Sequence, residues 1–126
     1  MISQVKLLSD KYFEEILKVR RHLHQNPELS FKEYKTSEFI QAFLKDNNIP
    51  FTSGHVKTGI IAQIKGKNPD KKKIILRADL DALPINEKNN VNYKSVNKGV
   101  MHACGHDGHT TMLLGAARYL SETRNF

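Results

Sequence analysis

The chain has 126 residues, a length that fits one domain, and its composition of 39% hydrophobic and 26% charged residues is that of a soluble globular protein. No apolar run approaches the roughly 20 residues that a membrane span requires. Acidic residues (Asp10, Glu14 and Glu15) lie where a signal peptide would have its apolar core, so we expect a cytoplasmic protein without a membrane partner. The single cysteine excludes an intramolecular disulfide framework.

The net charge of +7 raises the question of nucleic-acid binding. Five of the lysines cluster between Lys65 and Lys73, around the predicted turn GKNPD, and no aromatic residues are interleaved with them. Such a run is typical of a solvated loop rather than of a nucleic-acid interface. We therefore expect no nucleic-acid partner.

Two helices are predicted in the first half of the chain. The first runs from Val5 to His24 and ends before Pro27, because proline disfavours helical geometry in the residue that precedes it. The second begins with Ser30 as N-cap and Glu33 three residues later, which together form a capping box. The apolar residues that we expect on the buried faces are Leu8, Tyr12, Ile16, Val19 and Leu23 in the first helix and Phe39, Ile40, Phe43 and Leu44 in the second.

Three strands are predicted after the helices. Residues 50–53 form a weak strand, and residues 58–65 alternate with Ile60, Ala62 and Ile64 on one face. The segment KIILRAD, residues 73–79, contains a continuous apolar run that is typical of a central strand covered on both faces.

Residues 80–107 have no clean periodicity and form a predicted long loop, a kind of segment that often carries function. A last helix is predicted from Gly108, with Asp107 as its cap and Leu113, Ala116, Ala117 and Leu120 as its buried stripe. The order of elements indicates a layered α/β domain whose sheet is incomplete.

The loop ends in HACGHDGH, residues 102–109, which places five potential metal ligands within eight residues. Cys104 and His106 are separated by one glycine, whose conformational freedom allows both side chains to face one cation. Sulfur and imidazole nitrogen suit zinc and similar transition metals. The alternative from spacing alone is a buried structural cysteine beside surface histidines.

Other roles for the loop are less compatible with its residue types. A closed structural zinc site would need further cysteines, and a redox role would need a second thiol. A Cys–His nucleophile pair two residues apart in a turn rarely has the geometry for catalysis. Asp79 and Asp81 follow the predicted central strand, at the edge of the sheet where ligands bind in open α/β folds. For Asp79, a turn-capping role and a role in the site are equally supported by the sequence. For Asp81, we expect a role in the site.

Three segments, RRHLHQNPELSFKEYKTSEFI, RADLDALPINE and MHACGHDGHTTMLLGAARYL, resemble successive signatures of the M20 metallopeptidases. The resemblance is to the amidohydrolase branch that contains hippurate hydrolases, auxin-conjugate hydrolases and N-acetyldiaminopimelate deacetylases. It implies a zinc-exopeptidase-like three-layer α/β catalytic domain with a lid or dimerisation domain inserted later. It further implies hydrolysis of the amide of N-acyl amino acids or small peptides with two divalent metal ions, zinc or manganese above cobalt or nickel.

The resemblance also assigns roles by position. Cys104 and His106 match metal ligands, with the thiolate bridging the two ions, and Asp81 matches a supporting catalytic aspartate that orients a ligand. Asp79 stands where other branches have a ligand histidine, so its role stays open. His102, Asp107 and His109 are expected to support the ligands or begin the helix, and His22 and His24 are expected to have packing roles.

Family members carry a Glu-Glu pair and two ligand histidines beyond this region, and we find no counterparts here. The first hypothesis is therefore that residues 1–126 are the N-terminal part of an M20-type catalytic domain. It would lack the lid domain, the general base and the remaining ligands, and would be inactive alone. The alternative is a non-catalytic truncated product that acts as a weak metal- or partner-binding module. Under either hypothesis, an exposed sheet edge or apolar surface would promote self-association.

Overall fold

The computed structural model describes residues 2–126. Within that range three helices and two strands form, in the order α1, α2, β1, β2 and α3; their bounds are Ile2–Gln25, Tyr34–Asp46, Phe51–His55, Gly59–Ala62 and His106–Thr123. None of these helices is long and apolar enough to cross a bilayer. The mixed helix and strand content confirms the predicted α/β class.

The core lies where the three helices and the strands meet. Helix α1 packs along α3, and the buried apolar residues of the cluster are Val19, Leu23, Ile40, Phe43, Leu44, Ile49 and Leu114. Helix α1 is slightly longer than predicted, and it ends before Pro27 as expected. The apolar spacing of α1 and α2 was therefore sufficient to locate most of the core.

Helix α2 begins differently from the prediction. Its first residue is Tyr34, its N-cap position is Glu33, and neither Ser30 nor Glu33 caps it through a side chain. The carboxylate of Glu28 does so instead, since it accepts hydrogen bonds from the backbone N–H and the hydroxyl of Thr36 at 2.7 and 2.8 Å. A carboxylate outside the helix thus satisfies a donor that the predicted capping box was expected to satisfy.

Strands β1 and β2 pair as an antiparallel hairpin, with Phe51 opposite Ala62. The hairpin confirms both predicted strands within a few residues. Ile60 and Ile64 pack against the core as expected, whereas Ala62 is exposed.

The predicted central strand is wrong. Residues 73–79 form no strand, and Ile74, Ile75 and Leu76 are 76%, 92% and 56% exposed. A strand of this kind needs hydrogen-bonding neighbours on both sides and a layer over each face. Residues 2–126 supply neither for this segment, because their only sheet is the β1–β2 hairpin.

The predicted long loop is confirmed, since no helix or strand occurs between Ala62 and His106. One isolated bridge attaches it to the rest of the chain, where Ala82 pairs with Leu29. A second bridge, between Leu83 and Met101, joins two parts of the loop itself. The first bridge holds the loop beside the connection between α1 and α2.

Helix α3 begins two residues earlier than predicted, at His106. Its buried residues are Asp107, Thr110, Thr111 and Leu114, so the expected stripe through Leu113 and Leu120 is rotated. Asp107 is not the cap that we predicted, since the N-cap is Gly105 and Asp107 is a buried residue of the first turn.

Candidate metal centre

The side chain of His106 is held by Asp81. The Nδ1 atom of His106 lies 2.9 Å from Asp81 Oδ1 and 3.0 Å from the Asp81 backbone oxygen. Because both oxygens only accept, Nδ1 is the donor and Nε2 is left as the ring atom with a free lone pair. This is the arrangement by which a carboxylate orients a metal-binding histidine.

Cys104 is exposed, and its thiol is free. It is followed by Gly105, which occupies the N-cap position of α3 with φ +80°. No atom lies within 4 Å of the place where a Cβ would be built on Gly105, so the backbone conformation and not crowding favours glycine there. The turn leaves the Cys104 sulfur accessible, which excludes the alternative of a buried structural cysteine.

Asp107 is almost completely buried, at 1% exposure. Its Oδ2 atom accepts a hydrogen bond from His24 Nδ1 at 2.5 Å and pairs with Arg20 Nε at 3.2 Å. Its Oδ1 atom accepts from the backbone N–H of Gly108 at 2.8 Å. Asp107 therefore ties the first turn of α3 to the last turns of α1.

His24 contacts a second carboxylate on its other side. Its Nε2 atom lies 3.0 Å from Glu87 Oε1, and the backbone N–H of Ser95 donates to Glu87 Oε2 at 2.7 Å. Burial alone would raise the pKa of Glu87, but the hydrogen bonds from His24, Ser95 and Asn89 lower it to about 2. The expected packing role for His24 is thus wrong, because its buried ring contacts two carboxylates.

His22 does have the predicted packing role, because its ring stacks on Phe39 with centroids 3.9 Å apart. Burial lowers the pKa of His22. His22 and His24 therefore have opposite environments although they are two residues apart on α1.

His102 is 5% exposed, and neither of its ring nitrogens has a hydrogen-bond partner. Burial lowers its pKa, and the charge of Asp107 opposes that shift. His109 is exposed, with its ring centroid 6.0 Å from that of His106. The structure thus places one histidine behind the site and the other on its surface.

The polar contacts of Asp79 are with residues other than the candidate ligands. Its carboxylate pairs with Arg77 at the surface, and its backbone oxygen accepts a hydrogen bond from the Thr110 hydroxyl at 2.9 Å. No contact joins it to Cys104 or His106. Its turn-capping reading therefore has more support than a ligand role.

The donors present fit a metal site, but they do not complete one. An accessible thiol and an oriented imidazole are two ligands of the type that divalent transition metals take. Within residues 2–126, no group of three or more His, Cys, Asp and Glu side chains is arranged to hold a metal ion.

Sequence reasoning missed three residues behind the site: Arg20, His24 and Glu87. The first two stand in the RRHLH segment, where helical spacing predicts only which face is buried. Glu87 lies in the aperiodic loop, where no spacing rule predicts its partner. The one usable signal was a histidine on the buried face of an amphipathic helix, a position that requires hydrogen-bond partners.

Comparison with known proteins shows what the chain is similar to. A sequence model described as Peptidase family M20/M25/M40 matches residues 75–126. The N-acyl-L-amino acid amidohydrolase of Geobacillus stearothermophilus is 45% identical over 97% of this chain and 33% of its own length. The N-acetyl-L-cysteine deacetylase of Bacillus subtilis (strain 168) is 49% identical over 89% of this chain and 27% of its own.

Similarity extends to a solved structure, the YXEP protein of Bacillus subtilis, described as a dinuclear metal binding peptidase from the M20 family. It is 40% identical and has a TM-score of 0.82, over 91% of this chain and 32% of that one. Residues 75–126 therefore match peptidase family M20/M25/M40, and most of the chain is similar to hydrolases of that family, so the recognition from its three motifs is confirmed. The chain spans about a third of the length of the relatives that it matches.

Proposed function

We propose that the chain contributes to a metal-dependent amidohydrolase that cleaves the amide bond of N-acyl amino acids or small peptides. Support for the substrate class comes from relatives named for N-acyl-L-amino acids and N-acetyl-L-cysteine. Cys104 and His106 serve as metal ligands, and Asp81 fixes the ring of His106. We place the protein in the cytoplasm, without a nucleic-acid or membrane partner.

The observation that carries the proposal is the contact between Asp81 and His106. An imidazole whose Nδ1 atom is hydrogen-bonded to a carboxylate has its tautomer and ring orientation fixed before a metal arrives. Asp81 lies 25 residues from His106 in sequence, so neither local turn geometry nor helix capping explains the pair.

Two divalent ions fit the donor chemistry and the dinuclear description of the YXEP relative. When bound, such ions would polarise the amide carbonyl as Lewis acids. They would also lower the pKa of a bound water, so that it can lose a proton and act as a nucleophile near neutral pH. Zinc and manganese are our first candidates, with cobalt and nickel next, because thiolate and imidazole ligands admit all four.

We also propose that the chain alone binds metal weakly and does not catalyse turnover. The proposed ligands are only two, Cys104 and His106, and no group of three or more such side chains occurs among the described residues, whereas zinc sites use three or four ligands. The alternative function, a non-catalytic module that binds metal or a partner, shares this prediction of weak binding. The exposed run from Ile74 to Leu76 is the surface through which it would pair with a partner or with itself.

The test is calorimetric titration of the untagged chain with zinc and with manganese, with hydrolysis of N-acetyl amino acids assayed in the same samples. We expect weak binding that is lost in Cys104→Ala and His106→Ala, without turnover. His55→Ala is the matched control, because it removes an exposed imidazole in β1 that is hydrogen-bonded to Thr52 and lies outside the candidate site.

Binding that survives both ligand substitutions would exclude the proposed metal centre. Tight binding with turnover would instead show that the chain completes the centre by itself or as an oligomer, and the inactivity proposal would be wrong.

A further inference from the structure

A chain of buried polar contacts lies directly behind the candidate ligands. It consists of Arg20 and His24 on α1, Asp107 on α3, and Glu87 in the long loop, and we refer to these four residues as the polar link. His24 is its centre, because each of its ring nitrogens lies within 3.0 Å of a different carboxylate. The ring of His24 therefore joins two carboxylates that have no direct contact with each other.

The polar link joins the elements that form the site. Asp107 is the next residue after the ligand His106, so any displacement of Asp107 displaces the His106 backbone. Glu87 follows Asp81 by six positions in the loop that supplies the orienting carboxylate. Through Asp107 and Glu87, His24 therefore ties two chain segments to the last turn of α1. One segment carries His106, and the other carries Asp81.

The burial of these groups makes their pairing important. His24, Asp107 and Glu87 are 5%, 1% and 9% exposed. A buried carboxylate that loses its partner keeps the full cost of its desolvation, so the structure around it rearranges to reach water or another donor. Without His24, Asp107 would retain Arg20 and the Gly108 amide, and Glu87 would retain Ser95 and Asn89.

We propose that His24 is a positioning residue of the metal centre. It fixes the first turn of α3, and with it His106, relative to the loop that carries Asp81. This inference rests on the proposed function for its consequence, metal binding, but its structural part does not require a metal. The two parts are separable by experiment.

The structural part is tested by hydrogen–deuterium exchange on the metal-free chain. In wild type, the His109 amide donates to the Gly105 oxygen at 3.1 Å and should be protected. We expect His24→Gln to speed exchange of residues 109–112 about tenfold, since glutamine cannot reach two carboxylates on opposite sides. His22→Gln is the matched control, with the same substitution two residues away, and should leave these amides unchanged.

Amides near the end of α2, residues 43–46, distinguish positioning from general stability. A residue that only stabilises the fold would raise exchange there as well as in α3. Unchanged protection of residues 109–112 in His24→Gln would overturn the proposal, and so would equal loss in both helices. If His24→Gln does not fold, Glu87→Gln removes the charge of one of the two carboxylates with little change of shape, weakens its hydrogen bond to His24, and should speed exchange of the same residues by a smaller factor.

The functional part is tested by cobalt(II) titration, followed by the thiolate absorption of the bound ion. We expect about tenfold weaker binding in His24→Gln and wild-type binding in His22→Gln. Wild-type chain that binds no cobalt would refute the proposed metal binding by this chain, whereas the exchange result would still decide the role of His24. Cobalt affinity that is equal in His24→Gln and wild type would overturn the link to the metal centre.

Discussion

The helical core and residues 63–105 of the same chain are stabilised by different means. The three helices bury apolar side chains against one another, and the main cluster contains seven buried hydrophobic residues. Residues 63–105 contain no helix or strand and are attached through one isolated bridge, between Ala82 and Leu29, and through buried polar groups such as Glu87. The candidate ligands lie where the two regions meet.

Apolar packing therefore stabilises the fold, whereas buried polar contacts fix the geometry of the site. Apolar packing is non-directional, and it tolerates small shifts of the chain. Hydrogen bonds to buried carboxylates fix distances and angles, which a metal-ligand pair requires. Substitutions in the core should therefore change the free energy of unfolding, whereas substitutions in the polar contacts should change acid stability or metal affinity.

The largest effect is expected in the core. Leu23 is 2% exposed, and Leu23→Ala should lower the free energy of unfolding by about 2–5 kcal/mol, because it removes buried methyl groups and leaves a cavity. Leu7→Ala on the exposed side of the same helix should cost a small fraction of that amount. Urea denaturation followed by circular dichroism measures both, and equal losses would show that α1 is not packed as described.

The next effect concerns acid stability. Because the pKa of Glu87 is lowered from 4.5 to about 2, its contribution is present above pH 4.5 and is lost as the pH falls toward 2. The shift corresponds to roughly 3 kcal/mol. Glu87→Gln should therefore lower stability at neutral pH and flatten its dependence between pH 4.5 and 2.

The exposed Glu38→Gln on α2 is the control for this experiment, and it should leave the pH profile unchanged. Thermal unfolding followed by circular dichroism across the pH range supplies the profiles. A steep acid transition that persists in Glu87→Gln would mean that other carboxylates account for it.

The contrast between regions also explains how much the sequence alone could predict. Spacing of Leu8, Tyr12, Val19 and Leu23 predicted the buried face of α1, because helix geometry converts spacing directly into position. The HACGHDGH motif predicted Cys104 and His106 as candidates through their chemistry. The structure adds the contact of His106 with Asp81, but their metal-binding role stays a prediction.

Two kinds of feature were beyond prediction. The partners of His24 come from residues 87 and 107, and no local rule connects positions so far apart in sequence. The run from Ile74 to Leu76 misled for a different reason, since apolar composition indicates a buried strand only where neighbouring strands and layers cover it.

A smaller free-energy effect is expected at the contact with His106. Asp81→Asn keeps the size of the side chain but weakens its hydrogen bond to Nδ1, so metal affinity should fall about 10- to 100-fold, or roughly 1.4–2.7 kcal/mol. The thermal midpoint should change little, because Asp81 is only partly buried. Cobalt titration beside Asp70→Asn, an exposed aspartate in the lysine-rich turn, measures the difference; equal affinity in all three proteins would remove Asp81 from the site.

The smallest effect on stability is expected at Ile75, which is 92% exposed. Ile75→Lys should change the free energy of unfolding by no more than about 0.5 kcal/mol, as is usual for surface positions. It should at the same time reduce self-association, because it places a charge within an exposed apolar run. Denaturation and sedimentation velocity on one preparation separate the two effects.

A loss comparable to that of Leu23→Ala would mean that residues 73–79 are buried in solution, and the two regions would then share one mode of stabilisation. Unchanged stability together with reduced association would mean that the apolar residues of this run contact other molecules. They would then not stabilise the folded chain, as the residues of the helical core do.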